Sequence, residues 1–373
     1  MPLAFSVWSA LLNNYAVEMA AFSGAQIGML QSIREIPGFL AFTTVLLLLL
    51  VREQPFAVFS LALLGTGVAM TGFFPSAIGL YLTTFLMSVG FHYFETLKQS
   101  LSLQWLSKEE APAVLGKLIS VSALTSLCVY AALWLLLKIF ELDYVWVYLI
   151  GGTACLVLSL YMQLAFPIFS ATTPQRKQLI LRRRYWLYYA LTFMSGARRQ
   201  IFMVFASFLM VEKFGYGAAD IALLYLVNHM VSWLSASRIG AWIGRIGERR
   251  ALTVEYIGLI LLFLSYAVVR DGQVAAVLYV VDHLLFAMAI AIKTYFQKIA
   301  DPADIAGTVS VSFSINHIAA VVIPALFGLL WLKSPAAVFV LGAGMAAVSL
   351  LLAQLVPKRP EQGRETLLVG ESV

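Results

Sequence analysis

Twelve runs of mostly apolar residues follow one another along this chain with little between them, near 3–21, 25–50, 55–73, 77–104, 112–138, 144–166, 185–211, 218–243, 250–269, 273–299, 306–332 and 335–356. A bilayer's hydrocarbon core is about 30 Å thick and a helix rises about 1.5 Å per residue, so about 20 such residues make one crossing. In lipid every backbone N–H and C=O must be satisfied within a helix or a closed barrel. These runs are too long for barrel strands and lack two-residue alternation, which leaves helices. Pro, Gly and charge punctuate them, as at Arg52-Glu53-Gln54-Pro55, Pro75-Ser76, Lys108-Glu109-Glu110-Ala111-Pro112, Glu141-Leu142-Asp143, Arg270-Asp271-Gly272 and Asp301-Pro302-Ala303-Asp304. The expected fold is an all-α polytopic membrane protein with 12 transmembrane helices.

Composition agrees. Apolar and aromatic residues make up 61% and charged ones 12%, a balance that excludes an ordinary soluble enzyme and a disordered or collagen-like chain. A disulfide-stapled domain is excluded too, because the only cysteines are Cys128 and Cys155, and both lie inside apolar runs, where they read as small buried residues. The net charge of +6 does not indicate nucleic-acid binding, since the basic residues form short clusters between runs instead of one patch.

The longest polar interruption, 168–184, carries Pro174, Arg176, Lys177 and Arg182-Arg183-Arg184 and separates six spans from six. The expected organisation is an N-terminal bundle 1–167, a basic cytoplasmic linker 168–184, a C-terminal bundle 185–356 and a disordered cytoplasmic tail 357–373. Of 25 Lys and Arg residues, four (Lys138, Lys213, Arg270, Lys333) fall on the side opposite the linker and five within spans, leaving 16 on the linker side. The excess of positive charge on cytoplasmic loops therefore places both termini in the cytoplasm, and a bacterial inner membrane is the expected location. No cleavable signal is visible, because the first basic residue is Arg34.

The halves echo one another. Ser23-Gly24-Ala25-Gln26-Ile27 matches Tyr216-Gly217-Ala218-Ala219-Asp220-Ile221, and Gly116 with Ser120-Val121-Ser122 matches Gly307 with Ser310-Val311-Ser312. An acidic loop lies about eleven residues after a lone lysine, Lys98 or Lys293, in each half. This six-plus-six plan resembles the major facilitator superfamily of secondary transporters over essentially the whole chain, which implies two pseudo-symmetric six-helix bundles and alternating access around a midplane site. The most specific local support is Gly240-Ala241-Trp242-Ile243-Gly244-Arg245-Ile246-Gly247-Glu248-Arg249-Arg250 between spans eight and nine. Gly240, Arg245, Gly247 and Arg249 match the family's gating loop signature, while Gly244 stands in place of its aspartate and Glu248 in place of a basic residue. The corresponding loop of the first half is only Arg52-Glu53-Gln54-Pro55. Aligning the halves puts Tyr185 36 residues before Ile221 and Met1 26 before Ile27, so span one is expected to lack about ten residues at its cytoplasmic end, unless the alignment is merely imprecise.

Ionisable groups within a bilayer cost roughly 2.5–3.5 kcal/mol each at a helix centre on insertion scales, so they should face a cavity or a partner. The resemblance implies that spans one, four, seven and ten line the central path, and those spans hold Asn13, Asn14 and Glu18; His92, Glu95, Lys98 and Gln99; Arg198, Arg199 and Gln200; and Asp282, His283 and Lys293. Two chemistries are open to them. Asn13, Asn14, Tyr93, Lys98, Arg198, Arg199 and Lys293 are candidates for holding a solute, the cations suiting a carboxylate, phosphate or sulfate. Glu18, Glu95, Asp282, His92 and His283 are candidates for proton uptake and release. Structural alternatives stand beside these: a silent Glu95–Lys98 pair, an Arg34–Glu35 latch, and interhelical hydrogen bonds from Asn228-His229 and Asn316-His317. Of the adjacent Arg198 and Arg199, one is expected to meet substrate or an acid and the other to pack or snorkel.

Counting Arg34, Lys98, Arg198, Arg199 and Lys293 against Glu18, Glu35, Glu95 and Asp282 leaves one net positive charge in the spans, which favours a small anionic or zwitterionic solute moved with protons. Multidrug efflux, a transporter-like receptor or scaffold without flux, and lipid flipping are the alternatives. Soluble-enzyme motifs, a phosphate loop and close metal-ligand spacing are absent from the sequence, so neither catalysis, a cofactor nor a metal is expected, and the partners are a small solute, the bilayer and protons, with the protein a monomer.

Overall fold

The computed structural model describes residues 1–22, 24–169, 173–216 and 218–368; Ser23 and Gly217 of the repeated loop and the last five residues of the tail lie outside them. Twelve helical runs are present among the described residues. They are α1 (Pro2–Ala20), α2 (Gly24–Phe39, then a 3-10 turn Leu40–Thr43 and Thr44–Leu47), α3 (Glu53–Thr71), α4 (Ala77–Trp105), α5 (Ala111–Lys138) and α6 (Tyr144–Ala165). After a 3-10 turn Arg183–Tyr185, α7 runs over Trp186–Gln200, a π-helical turn Ile201–Ala206 and Ser207–Glu212. Then come α8 (Ala218–Ile246), α9 (Glu248–Val268), α10 (Gly272–Phe286, a 3-10 turn Ala287–Ala289 and Ile290–Ile299), α11 (Ile305–Trp331) and α12 (Pro335–Gln354). By length and composition α3, α4, α5, α6, α9, α10 and α12 can each cross a membrane unaided.

Three of the runs are interrupted where hydropathy alone reads as continuous. Pro37 sits inside α2 and removes a backbone donor just before its 3-10 turn. Within that turn the Phe42 N–H donates to Ser314 Oγ at 2.9 Å, and Thr43 Oγ1 donates to the Leu40 carbonyl at 2.7 Å. The breaks in α7 and α10 contain no proline or glycine.

The chain forms two compact units. The first comprises Met1–Gln104, Leu124–Leu179 and Ala306–Ser314. Its core gathers Trp8, Tyr15, Leu64, Val68, Met87 and Tyr148. Tyr15 lies edge-on to Tyr144 and Tyr148 and donates its hydroxyl to the Gly72 carbonyl at 2.7 Å. Small residues let α3 and α6 approach backbone to backbone, as membrane helices commonly do: a Cβ at Gly152 would stand 2.3 Å from the Ala69 nitrogen.

The second unit comprises Trp105–Ala123, Ile180–Ile305 and Ile315–Val373. Aromatic stacks fill it, with Tyr188 on Phe296 (4.3 Å), Tyr266 on Phe339 (5.0 Å) and Phe205 on Trp331 (5.5 Å between centroids). Helices α5 and α8 cross so closely that a Cβ on Gly240 would lie 2.2 Å from the Pro112 carbonyl oxygen and one on Gly116 2.4 Å from that of Ala236.

Two expectations are corrected. The tail is ordered through residue 368: the Leu367 N–H donates to the Leu355 carbonyl (2.9 Å), Gln362 Nε2 donates to the Ala300 carbonyl (2.9 Å), and Glu365 and Thr366 are buried. Its polar, Pro- and Gly-bearing sequence resembles disorder, but its donors and acceptors find partners at the ends of the helices. Cys155 is buried as expected, whereas Cys128 is exposed on α5. In a membrane protein an apolar run faces lipid as readily as a protein core.

Candidate functional site

In the first unit the polar residues of α4 turn toward α2. His92 is buried, with Nδ1 2.9 Å from both the hydroxyl and the carbonyl of Ser88 one turn earlier, and Ser88 Oγ donates to the Arg34 carbonyl. Arg34 Nη2 meets Glu35 Oε1 at 2.6 Å, and a Glu35 carboxylate oxygen lies within 4.8 Å of a His92 ring nitrogen. Lys98 Nζ is paired with Glu95 Oε1 on the same helix face. The Tyr93 hydroxyl meets Thr43 Oγ1 at 2.5 Å, at the 3-10 turn of α2. Asn13, Asn14 and Glu18 are exposed near the end of α1; Asn14 Nδ2 donates to Glu18 Oε1 (3.3 Å) and the Tyr144 hydroxyl to Glu18 Oε2 (2.8 Å).

The second unit holds a denser cluster, assembled from three helices. Arg198 is on α7, three residues before the π-helical turn; Glu255 is in the third turn of α9; Asp282 is on α10, five residues before its 3-10 turn. Their exposures are 5%, 2% and 4%. Arg198 Nη1 donates to Glu255 Oε1 at 3.3 Å, and its guanidinium carbon sits 4.5 Å from the centroid of the Tyr256 ring, a cation–π arrangement. Arg198 Nε donates to the Met194 carbonyl at 3.2 Å. Asp282 lies within electrostatic reach of Arg198. Glu255 Oε2 and Asp282 Oδ2 are buried without a hydrogen-bond partner among the described residues.

Beside this cluster runs an aromatic wall. Phe202 lies 4.8 Å from Tyr279 and 5.9 Å from His283, and the Tyr279 hydroxyl meets Ser207 Oγ at 3.0 Å. His283 Nδ1 and the buried Asn228 Oδ1 lack a hydrogen-bond partner among the described residues. Arg199 and Lys293 are half-buried on α7 and on the second segment of α10. Asn316 Nδ2 donates to the Thr192 carbonyl at 3.3 Å, joining α11 to α7 as an interhelical bond.

The loop motif resolves into separate physical tasks. Gly247 is the single residue between α8 and α9, with φ +84 and ψ 159, a conformation open in practice only to glycine. Gly240 allows the close α5–α8 crossing. Arg249 Nη2 donates to Gln354 Oε1 at 3.2 Å, while Arg245 is exposed. Glu248, in place of the motif's basic residue, is buried against Lys298 Nζ at 2.6 Å.

At the end of the second unit where the linker and tail meet, Asp304 is fully buried. It accepts from Arg182, including Nη2 to Oδ1 at 3.0 Å, and from the Tyr185 hydroxyl at 3.2 Å. Arg184 lies 3.8 Å from both Asp304 and Glu365.

Arg198 and Asp282 are thus among the residues the sequence singles out, whereas Glu255 is not. The available signal was an acid five residues inside an apolar run. Once Glu255 is included, the in-span charges balance, five basic against five acidic, and the surplus that pointed to an anion disappears.

Comparison with known proteins places this architecture. None of the curated proteins matches the sequence significantly. Among solved structures, the chain is similar to a variant of the E. coli fucose:proton symporter FucP, with 13% identity, 95% of this chain and 96% of that one covered, and a TM-score of 0.75. It is similar to a bacterial homologue of the iron transporter ferroportin in the outward-facing state (12% identity, 95% of each chain, TM-score 0.73). The human organic anion transporter TETRAN is a third such structure (14% identity, 95% and 96%, TM-score 0.69). At these identities the likeness shows the fold alone. The family model of the Major Facilitator Superfamily matches residues 3–315, most of the chain, and family and fold together point to a transporter rather than an enzyme: the chain is an integral membrane protein and belongs to the Major Facilitator Superfamily.

Proposed function

We propose that the protein is a secondary active transporter that moves a small anionic or zwitterionic solute by alternating access and couples that movement to protons. It does so as a monomer in a bacterial inner membrane, with both termini in the cytoplasm. The observation that carries the reading is the buried Arg198–Glu255–Asp282 cluster, in which one cation stands among two acids away from water. Such groups are costly in a membrane, and titration or solute binding is the usual reason for them. The pairings Lys98–Glu95, Arg34–Glu35 and Arg198–Glu255 neutralise much of the set. The candidate cations for the solute's carboxylate are Lys98, Arg198, Arg199 and Lys293, and the even count of charges favours the zwitterionic form of the solute. Relatives in fold include a fucose:proton symporter and an organic anion transporter, in keeping with this class.

The test is uptake into proteoliposomes of a panel of labelled amino acids, carboxylates and phosphate esters, with and without an imposed pH gradient. Accumulation of one compound that depends on the gradient is expected. Flux indifferent to the gradient would remove proton coupling. Export limited to bulky apolar compounds would favour multidrug efflux, for which the Phe202, Tyr225 and Tyr279 rings supply the aromatic surface.

A further inference from the structure

Proton coupling, on which this inference rests, leaves open which acid carries the proton. We propose that it is carried in the second unit, shared between Glu255 and Asp282, with Arg198 as the positioning counter-ion that alternates between the two carboxylates.

The argument is charge balance in a sealed place. One guanidinium neutralises one carboxylate, and a second buried carboxylate without a partner is strongly disfavoured. The missing charge is made up by one proton. The groups facing the cluster do not change this count. From α9 come Tyr256, whose ring lies under the guanidinium, and Tyr266; from α10 come Tyr279 and His283. From α8 comes His229, within electrostatic reach of His283, and Tyr225 beside Tyr279. Arg199 follows Arg198 on α7 but is half-buried. From α12 come Phe339, stacked on Tyr266, and Gly342, against Ile201 and Phe263.

The hydrogen bonding is incomplete in a way that suits two arrangements. Arg198 reaches Glu255 through one nitrogen at 3.3 Å, while one oxygen of each acid is left without a hydrogen-bond partner among the described residues. Asp282, within electrostatic reach of Arg198, offers a second pairing, as a two-state element requires. The π-helical turn Ile201–Ala206 begins three residues after Arg198. Such turns hold an extra residue within a helix and recur at functional sites; migration of the turn by one residue would swing the arginine. When Arg198 leaves Glu255 for Asp282, the Asp282 carboxyl gives its proton to water and Glu255 takes one up. The reverse step restores the start. No heavy-atom bond forms or breaks; each step releases one proton and takes one up, so if release and uptake face opposite sides one proton crosses in each step, two in the full cycle.

The experiment uses the full-length protein in lipid nanodiscs and needs no identified solute. Infrared spectra in light and heavy water report protonated buried carboxyl groups directly. Wild type is expected to show one such band. D282N should remove it at unchanged thermal midpoint, and R198Q, which leaves two acids without a counter-ion, should raise it about twofold. An absent wild-type band, or one unaltered in D282N and E255Q alike, overturns the proposal. If E255Q does not fold, the double variant E255Q/R198Q removes one acid together with its counter-ion and is expected to retain the Asp282 band; loss of that band also overturns the proposal. Proteoliposomes separate this outcome from the wider reading. A wild-type flux that responds to the pH gradient, with D282N and E255Q still coupled, sinks the assignment and leaves proton coupling standing; an indifferent wild type sinks both.

Discussion

At the scale of single residues, distance along the chain decided what could be read. Asn14 with Glu18 and Glu95 with Lys98 lie one helical turn apart, and both pairs form as spacing requires. Arg198 and Glu255 are 57 positions apart on different helices, and no spacing rule reaches across that interval. Arg182 with Asp304, 122 positions apart, is a second case. Asp304 is completely buried while Arg182 and Arg184 remain 39% and 40% exposed, so water screens part of what the arginines contribute. The substitution D304N keeps the shape and removes the charge. It is expected to cost about 1–3 kcal/mol, the range for losing charged hydrogen bonds at a buried acceptor. A lowered unfolding midpoint in detergent checks it; an unchanged midpoint would mean that the tyrosine and backbone contacts suffice.

Helices were the most legible elements. Run length and punctuation by Pro, Gly and charge located all twelve to within a few residues, because the bilayer sets the length and the backbone must bond to itself. The breaks inside α7 and α10 had no such signal: their residues are apolar and helix-compatible, and only packing against neighbours makes the irregular turn preferable. The π-helical turn accordingly offers a direct test. Deleting exposed Met203 removes the extra residue, so that α7 continues as regular helix with its remainder close to its present face. Ser207 then stays near the Tyr279 hydroxyl, 3.0 Å distant in the structure, while the irregular turn beside Arg198 is lost. The deletion is expected to leave membrane insertion intact and abolish transport, measured as expression level against proteoliposome flux. Full activity in the deleted protein would show that the irregularity has no role in the cycle.

For the whole molecule, composition and pattern conveyed class, span number and family, while the side-chain matches by which individual helices pack were out of reach, since helices of similar hydrophobicity pack through small residues. The tail illustrates the limit. Its sequence from Pro357 onward has the polarity of a free end, yet Glu365 is buried, its carbonyl accepts from the Tyr295 hydroxyl at 2.5 Å, and its carboxylate lies 3.8 Å from Arg184. Truncation after Lys358 removes these bonds together with those of Gln362 and Leu367. A lower thermal midpoint and faster proteolysis near Arg182 are the expected results, read by melting curves and limited trypsin digestion. Unaltered melting and cleavage would make the tail's docking incidental.

The crossing of α5 and α8 at Gly116 and Gly240 carries a mechanical consequence. Main chain rests on main chain there, and one turn further along α5 the Ser120 hydroxyl donates to the Trp233 carbonyl of α8. Such a joint resists separation through close dispersion contact and leaves no room for added volume. Any methyl group added at Gly240 would be a pebble in that bearing, felt in how fast the molecule cycles more than in how tightly it grips its cargo.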